Sequence, residues 1–197
     1  DPSPRAAALA LDELRASIAA QEPARHKQPL DAALTVNMAE AYDGVGLALR
    51  RLGRTREAVQ SHRRALELTA TATSHEGGNS QYRANEAGYH MHLAEALLAA
   101  GDTREALQAS RRSLEAFAAL PSGMSDDINV QYSQGYAQYV HAKSLDAQGT
   151  PGARDAACAA YRASLPGLER KEARAPALPG QLGAQQVRDA LKRCAQA

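Results

Sequence analysis

Aromatic side chains are scarce in this chain. Phe, Tyr and Trp together make up 4% of the 197 residues, with one Phe and no Trp, whereas hydrophobic residues as a whole make up 44%. The core must therefore be built mainly from Ala and Leu. Such side chains suit helices that approach one another closely, and they suit β-sandwiches poorly.

The chain also lacks an excess of charge of either sign. Lys and Arg total 23, Asp and Glu total 22, and the formal net charge is +1. Because nucleic-acid-binding proteins concentrate positive charge on one surface, we expect no nucleic-acid partner. The Arg-Arg pairs at 50–51, 63–64 and 111–112 are interpreted as solvated helix faces.

Long apolar runs are absent, and cysteine is rare. No run of about 18 apolar residues is present, so no membrane span is expected. The two cysteines, Cys158 and Cys194, lack the spacing of a zinc site or a redox motif. We favour two buried thiols in a cytoplasmic protein. The alternative is a disulfide between the last helix and the last repeat, which would imply an oxidising, extracytoplasmic compartment.

A repeated spacing dominates what is present. Three glycines lie 48 residues apart, at Gly53, Gly101 and Gly149. Near-copies of one helical sequence surround them, such as RLGRTREAVQSHRRAL and AAGDTREALQASRRSL. A fixed period of this size is typical of a stacked helical array. The apolar residues recur with a helical period, and no strand is predicted.

These patterns predict one all-α domain, an α-solenoid of stacked antiparallel helix pairs. The predicted helices cover about residues 5–20, 31–52, 56–73, 81–100, 103–120, 128–148, 154–165 and 181–196. Asp31 is expected to cap the second helix, and the Pro- and Gly-rich segment 166–180 is expected to be irregular. Each pair has an apolar face that only a neighbouring pair can cover, and the last helix is expected to cap the stack.

The same register divides the domain into units. Residues 1–28 are expected to supply the second helix of a truncated repeat. Three full repeats should follow, at 29–78, 79–125 and 126–166. A linker and the capping helix would then occupy 167–197.

The first full repeat carries a characteristic set of residues: Tyr42, Val45-Gly46, Leu49, Gly53, Ala58 and Ala65-Leu66. This set resembles the tetratricopeptide repeat, whose helices place an aromatic, a Leu-Gly pair and then Ala, an aromatic and Ala-Leu. In this chain His62 stands at the second aromatic position. The period of 48 residues exceeds the family's usual value of about 34, so both helices would be extended.

The resemblance implies a module that binds a peptide or protein segment in a concave groove lined by the first helix of each repeat. The positions that it assigns to this groove include Asp43, Leu47, Arg50, Met91, Glu95, Tyr136, Tyr139 and Lys143. Extending the first helix of the third repeat backwards adds Tyr132, and the neighbouring first helix adds Tyr82. Some family members grip a terminal carboxylate with Lys, Asn and Arg. Here Asp43, Met91 and Tyr139 occupy those positions, so that mode of binding is not expected.

One face of the first helix of the third repeat is rich in tyrosine. Tyr132, Tyr136, Tyr139 and Lys143 recur at i, i+4, i+7 and i+11, a spacing that places them on one helix face. Tyrosine combines apolar area with a hydroxyl that tolerates water, as peptide anchors often do. The alternative is that these rings pack between the extended helices.

Catalysis, cofactors and metals are not expected from the sequence. His90 and His92 are two residues apart and would point to different sides of a helix, so they cannot chelate an ion as an i, i+4 pair does.

Similar long-period repeats accompany bacterial serine/threonine kinases. A sensor or assembly domain of such a kinase, acting by self-association as a homodimer or by binding a small ligand, is therefore the alternative function.

Overall fold

The computed structural model describes residues 3–75, 79–177 and 181–195, and this part of the chain contains only helices and connecting turns. The helices are α1 (Pro4–Lys27), α2 (Ala32–Arg51), α3 (Thr55–His75), α4 (Ser80–Ala100), α5 (Thr103–Ala118), α6 (Ser122–Ser125), α7 (Ile128–Asp146), α8 (Pro151–Glu172) and α9 (Ala184–Ala195). Apart from the short α6, each helix packs against the next along the chain, and α5 packs against α7. The predicted all-α stack of helix pairs is confirmed.

The helices are arranged in two layers. The pairs α2/α3, α4/α5 and α7/α8 pack most extensively, while α1 covers α2 and α9 covers α8. The first helices of the pairs, α2, α4 and α7, also contact one another in turn, so they form one continuous layer. Ala, Leu and Val supply most of the buried side chains, as the composition requires, and the single Phe, Phe117, is also buried.

Glycine ends the first helix of each pair, as the 48-residue spacing predicts. The backbone φ is 74° at Gly53, 87° at Gly101 and 68° at Gly149, all in the left-handed region. Glycine enters this region without the steric cost that a Cβ would add, which is why it commonly follows a helix. The predicted cap at Asp31 is also present, since its carboxylate accepts a hydrogen bond from the N–H of Leu34 at 2.9 Å.

The predicted irregular segment after residue 165 is wrong over its first part. Helix α8 continues through Pro166 and Gly167 to Glu172, so the expected repeat boundary at residue 166 lies inside a helix. The cause is the close packing of α7 and α8. A Cβ added at Gly167 would collide with the backbone carbonyl of Gln131, and one added at Gly135 would lie 2.7 Å from the carbonyl oxygen of Ser164.

Other boundaries differ by smaller amounts. Helix α1 is longer than predicted and contains Pro23. Helix α8 begins at Pro151 rather than near residue 154, because Thr150 caps it and proline suits the first helical position. The short helix α6 lies in a predicted loop. Helix α9 begins later than predicted, and residues 178–180 and 196–197 of the predicted segments lie outside the described residues.

A disulfide joins α8 to the capping helix. The sulfur atoms of Cys158 and Cys194 are 2.02 Å apart, and their Cα atoms are 5.9 Å apart. The favoured interpretation of two free thiols is therefore wrong, and the disulfide of the alternative interpretation is confirmed. Arg188 of α9 adds an ion pair with Glu169 of α8 at 2.8 Å.

Among the described residues, no helix has both the length and the apolar character needed to cross a bilayer.

Candidate functional site

Helices α2, α4 and α7 bring most of the predicted groove positions onto one surface. We call this surface the first-helix face and define it by Leu47, Arg50, Glu95, Tyr132, Tyr136, Tyr139 and Lys143. Six of these side chains are half-buried, and Lys143 is exposed. A half-buried surface of this kind keeps its side chains ordered while leaving part of each in contact with solvent.

A chain of polar contacts links one side chain from each of the three helices. The guanidinium of Arg50 in α2 forms an ion pair with the Glu95 carboxylate in α4 at 3.2 Å. The Tyr136 hydroxyl in α7 donates a hydrogen bond to the same carboxylate at 2.8 Å. Burial and the neighbouring Glu95 raise the pKa of Tyr136 above its ordinary value. The tyrosine therefore stays protonated and donates across the physiological pH range.

The tyrosine stripe of α7 is partly committed to internal packing. The rings of Tyr132 and Tyr136 meet edge to face, with centroids 6.2 Å apart. The Tyr132 hydroxyl donates a hydrogen bond to the carbonyl of Leu182 at 3.2 Å. Tyr132 thus helps to hold the segment before α9, in agreement with the packing alternative for this residue.

Tyr139 and Lys143 form the more open end of the stripe. The Tyr139 ring lies 5.7 Å from the ring of Tyr161 in α8. The Lys143 ammonium group is 5.7 Å from the centroid of the Tyr139 ring, within the range of a cation–π contact. These contacts orient both side chains while leaving the ammonium group in solvent.

Three predicted groove positions lie elsewhere. Tyr82 packs against Ala32, Val36 and Ala72 at the N-terminal ends of α2 and α4. Asp43 is 6% exposed and Met91 is 4% exposed, so both belong to the core rather than to the groove surface. The extended helices pack closely enough to cover them.

Asp43 lies at the centre of a buried polar cluster that we call the Asp43 triad, formed by Asp43, His62 and His92. The Nδ1 of His62 in α3 donates to the Asp43 carboxylate in α2 at 2.7 Å. The Nδ1 of His92 in α4 donates to the same carboxylate at 2.9 Å. Three helices from two successive repeats therefore meet at one carboxylate.

Burial and charge act in opposite directions on the triad. Burial raises the pKa of Asp43, but the two histidines outweigh it and hold the pKa below its ordinary value. Burial lowers the pKa of His92, and the adjacent Asp43 carboxylate outweighs this effect and raises it. At His62 burial prevails over Asp43, so its pKa is lowered. The arrangement favours a charged pair of Asp43 and His92 beside a neutral His62.

Sequence reasoning missed this triad because its members are far apart in the chain, by 19 and 49 residues from Asp43. One signal was available. His62 occupies a position where the repeat pattern places a packing aromatic, and a buried imidazole needs a polar partner. The facing first helix of the same repeat offers Asp43 as that partner, but the contribution of His92 from the next repeat is set by the stacking of pairs.

No family model matches the sequence, and no curated protein is similar to it.

Proposed function

We propose that this chain is a tetratricopeptide-like binding module whose first-helix face holds a peptide or protein segment. The observation that carries this proposal is the polar chain of Arg50, Glu95 and Tyr136, which joins the first helices of three successive pairs. Such a surface is ordered before a partner arrives. Binding then costs less conformational entropy than it would on a mobile surface.

The chemistry of the face also favours a protein partner. Tyrosine and arginine are the residue types most often found as binding anchors. Half-buried tyrosines offer apolar area together with a hydroxyl. Exposed Lys143 adds a positive charge beside Tyr139, so a partner segment with an acidic residue next to an apolar one would suit this end of the face.

The test selects binders from a random peptide library displayed on phage, using the purified chain as bait. The affinity of each selected peptide is then measured by fluorescence anisotropy for the parent chain and for a Tyr139→Ala/Lys143→Ala variant. We expect at least a roughly tenfold loss of affinity, about 1.4 kcal/mol, in the variant. Its circular dichroism spectrum should match that of the parent chain.

Lys192→Ala is the matched control, because Lys192 is an exposed lysine on α9, outside the first-helix face. Its affinity for the selected peptides should equal that of the parent chain. The proposal fails if no peptide is enriched, or if the double variant binds the selected peptides as tightly as the parent does.

Self-association is a second candidate function, as in an assembly domain of a bacterial serine/threonine kinase. Two large apolar side chains at the N-terminal end of the stack favour it, since Leu9 is 57% exposed and Leu30 is 68% exposed. Light scattering should then detect a dimer that Leu9→Glu/Leu30→Glu abolishes. A monomer at every concentration would contradict this candidate.

We also propose that the chain works in an oxidising, extracytoplasmic compartment. The support is the Cys158–Cys194 disulfide, because structural disulfides persist mainly outside the reducing cytoplasm. Mass spectrometry of the protein isolated from its own cells, with thiols alkylated at lysis, should find both cysteines unmodified by the reagent. Alkylation of both would contradict the proposed compartment.

A further inference from the structure

The Asp43 triad gathers three side chains of metal-ligand type at one point in the core. One donor atom from each of Asp43, His62 and His92 lies within 4.8 Å of the other two. The side chains are 9%, 0% and 19% exposed, respectively. Each comes from a different helix, α2, α3 or α4, so anything that binds all three would tie two repeats together.

We propose that Asp43, His62 and His92 form a binding site for one divalent transition-metal ion of the Zn²⁺ class. The donor set is two imidazole nitrogens and one carboxylate. Imidazole favours Zn²⁺ and its neighbours in the first transition row, whereas Mg²⁺ and Ca²⁺ favour all-oxygen sites.

The spacing of the donor atoms is close to that of a metal site, but all three pairs must adjust. Zinc bonds to histidine nitrogen and carboxylate oxygen are about 2.0–2.2 Å long, so two ligands of one tetrahedral ion lie roughly 3.3 Å apart. The Asp43 oxygens now lie 2.7 Å from the Nδ1 of His62 and 2.9 Å from the Nδ1 of His92. Spreading these two pairs by about 0.4–0.6 Å, and bringing the two imidazole nitrogens from within 4.8 Å to about 3.3 Å of each other, would admit an ion in place of the bridging protons.

The local charge is compatible with a cation. Asp43 supplies one negative charge. The nearest arginine on α2, Arg50, is already paired with the Glu95 carboxylate at 3.2 Å, so its positive charge is offset. The ion would therefore meet one carboxylate and two neutral imidazoles. Charged His92 would release its Nδ1 proton to solvent, and neutral His62 would carry its proton on Nε2 instead of Nδ1.

The site also has a route to solvent. His92 retains partial exposure, and Asp43 lies on the stripe of α2 that continues through Leu47 and Arg50 at i+4 and i+7. Three protein ligands leave one position of a tetrahedral ion for water. That water would lie on the side of the first-helix face, and the ion would clamp α2, α3 and α4 beneath it.

The test uses the full chain, freed of metal with a chelator and then titrated with Zn²⁺ by calorimetry. We expect one ion per chain, with one proton released per ion from charged His92. At a hundredfold excess over Kd, the melting temperature should rise by roughly 5–10 °C. Titration with Co²⁺ should give visible absorption of the kind that histidine-bound Co²⁺ produces.

His92→Gln is the decisive variant. Its amide can still donate to Asp43 and so preserve the fold, but it removes one imidazole ligand. Zinc affinity should fall at least about a hundredfold, and the thermal shift should disappear. Asp43→Asn repeats the test if His92→Gln fails to fold, because asparagine keeps the size of the side chain and removes its charge.

His26→Gln is the matched control, since His26 forms an exposed histidine–carboxylate pair with Glu22. It should bind zinc as the parent chain does. The proposal is overturned if the chelated chain takes up no ion, if His92→Gln or Asp43→Asn binds as tightly as the parent, or if His26→Gln alone abolishes uptake.

Discussion

At the scale of single residues, one glycine makes room for the buried histidine of the first repeat. A Cβ added at Gly46 would lie 2.5 Å from Cε1 of His62 and 2.6 Å from its Nε2. The imidazole is completely buried, and its Nδ1 is held by a hydrogen bond to Asp43. It therefore cannot move away without breaking that hydrogen bond, and the small residue at position 46 and the histidine at position 62 require each other.

Replacing Gly46 by Ala should therefore lower the free energy of unfolding by about 1–3 kcal/mol, as overpacking in a rigid core does. Urea denaturation followed by circular dichroism measures this change. Gly88→Ala is the control, because a Cβ at Gly88 in α4 meets nothing within 4 Å. That variant should be more stable by roughly 0.5–1 kcal/mol, since alanine favours the helix. Equal stability of the two variants would contradict the proposed fit.

His141 should make the folded protein less stable at acidic pH. Burial, followed by the nearby Arg111, lowers the pKa of His141 below its ordinary value. Between the folded-state pKa and about 6.5, His141 is protonated in the unfolded chain but neutral in the folded chain. The free energy of unfolding therefore falls as the pH drops below about 6.5 through the folded-state pKa. The Nδ1 of His141 lies 3.0 Å from the Ser110 hydroxyl, a contact that glutamine can replace.

The His141→Gln variant should accordingly lose less stability than the parent chain between neutral and mildly acidic pH. Denaturation of both proteins at a series of pH values measures the difference. If stability falls with pH equally in the two proteins, the loss of stability in acid does not come from His141.

At the scale of helices, the crossing of α7 and α8 depends on Gly135 and Gly167. An alanine at Gly167 would meet the carbonyl of Gln131, and backbone cannot move aside as a flexible side chain can. Gly167→Ala should therefore separate the two helices and cost about 1–3 kcal/mol. Gly152→Ala is the control in the same helix, because a Cβ there meets nothing within 4 Å. It should neither separate the helices nor lower the stability by a comparable amount. A similar loss in both variants, measured by denaturation, would contradict this explanation.

The crossing of α7 and α8 separates the features that local sequence predicts from those that depend on packing. The turn glycines and the cap at Asp31 were predicted correctly because each acts on its own neighbours in the chain. The continuation of α8 past Pro166 was missed because its cause is packing against α7, which local propensity does not record. At the candidate site, the sequence placed Arg50, Glu95 and Tyr136 on first helices, but only the stacking of pairs reveals that they touch.

At the scale of the whole molecule, the two ends of the stack are closed differently. The N-terminal end is covered by α1, which leaves Leu9 exposed. The C-terminal end is covered by α9, a helix of 12 residues that buries Ala184, Val187 and Ala190. So short a helix has little apolar area with which to hold its place, and the disulfide supplies a covalent link to α8.

Removing that link should therefore loosen the C-terminal end of the stack first. The disulfide spans 36 residues of sequence, and closing a loop of this length is worth about 4 kcal/mol in the chain-entropy account. In Cys158→Ser/Cys194→Ser, we expect global stability to fall by up to about that amount. Amide exchange in α9 should accelerate more than in α2 or α4, since α9 contacts only α8 extensively. Equal acceleration throughout the chain would instead indicate that the stack unfolds as one unit and that α9 is no separate cap.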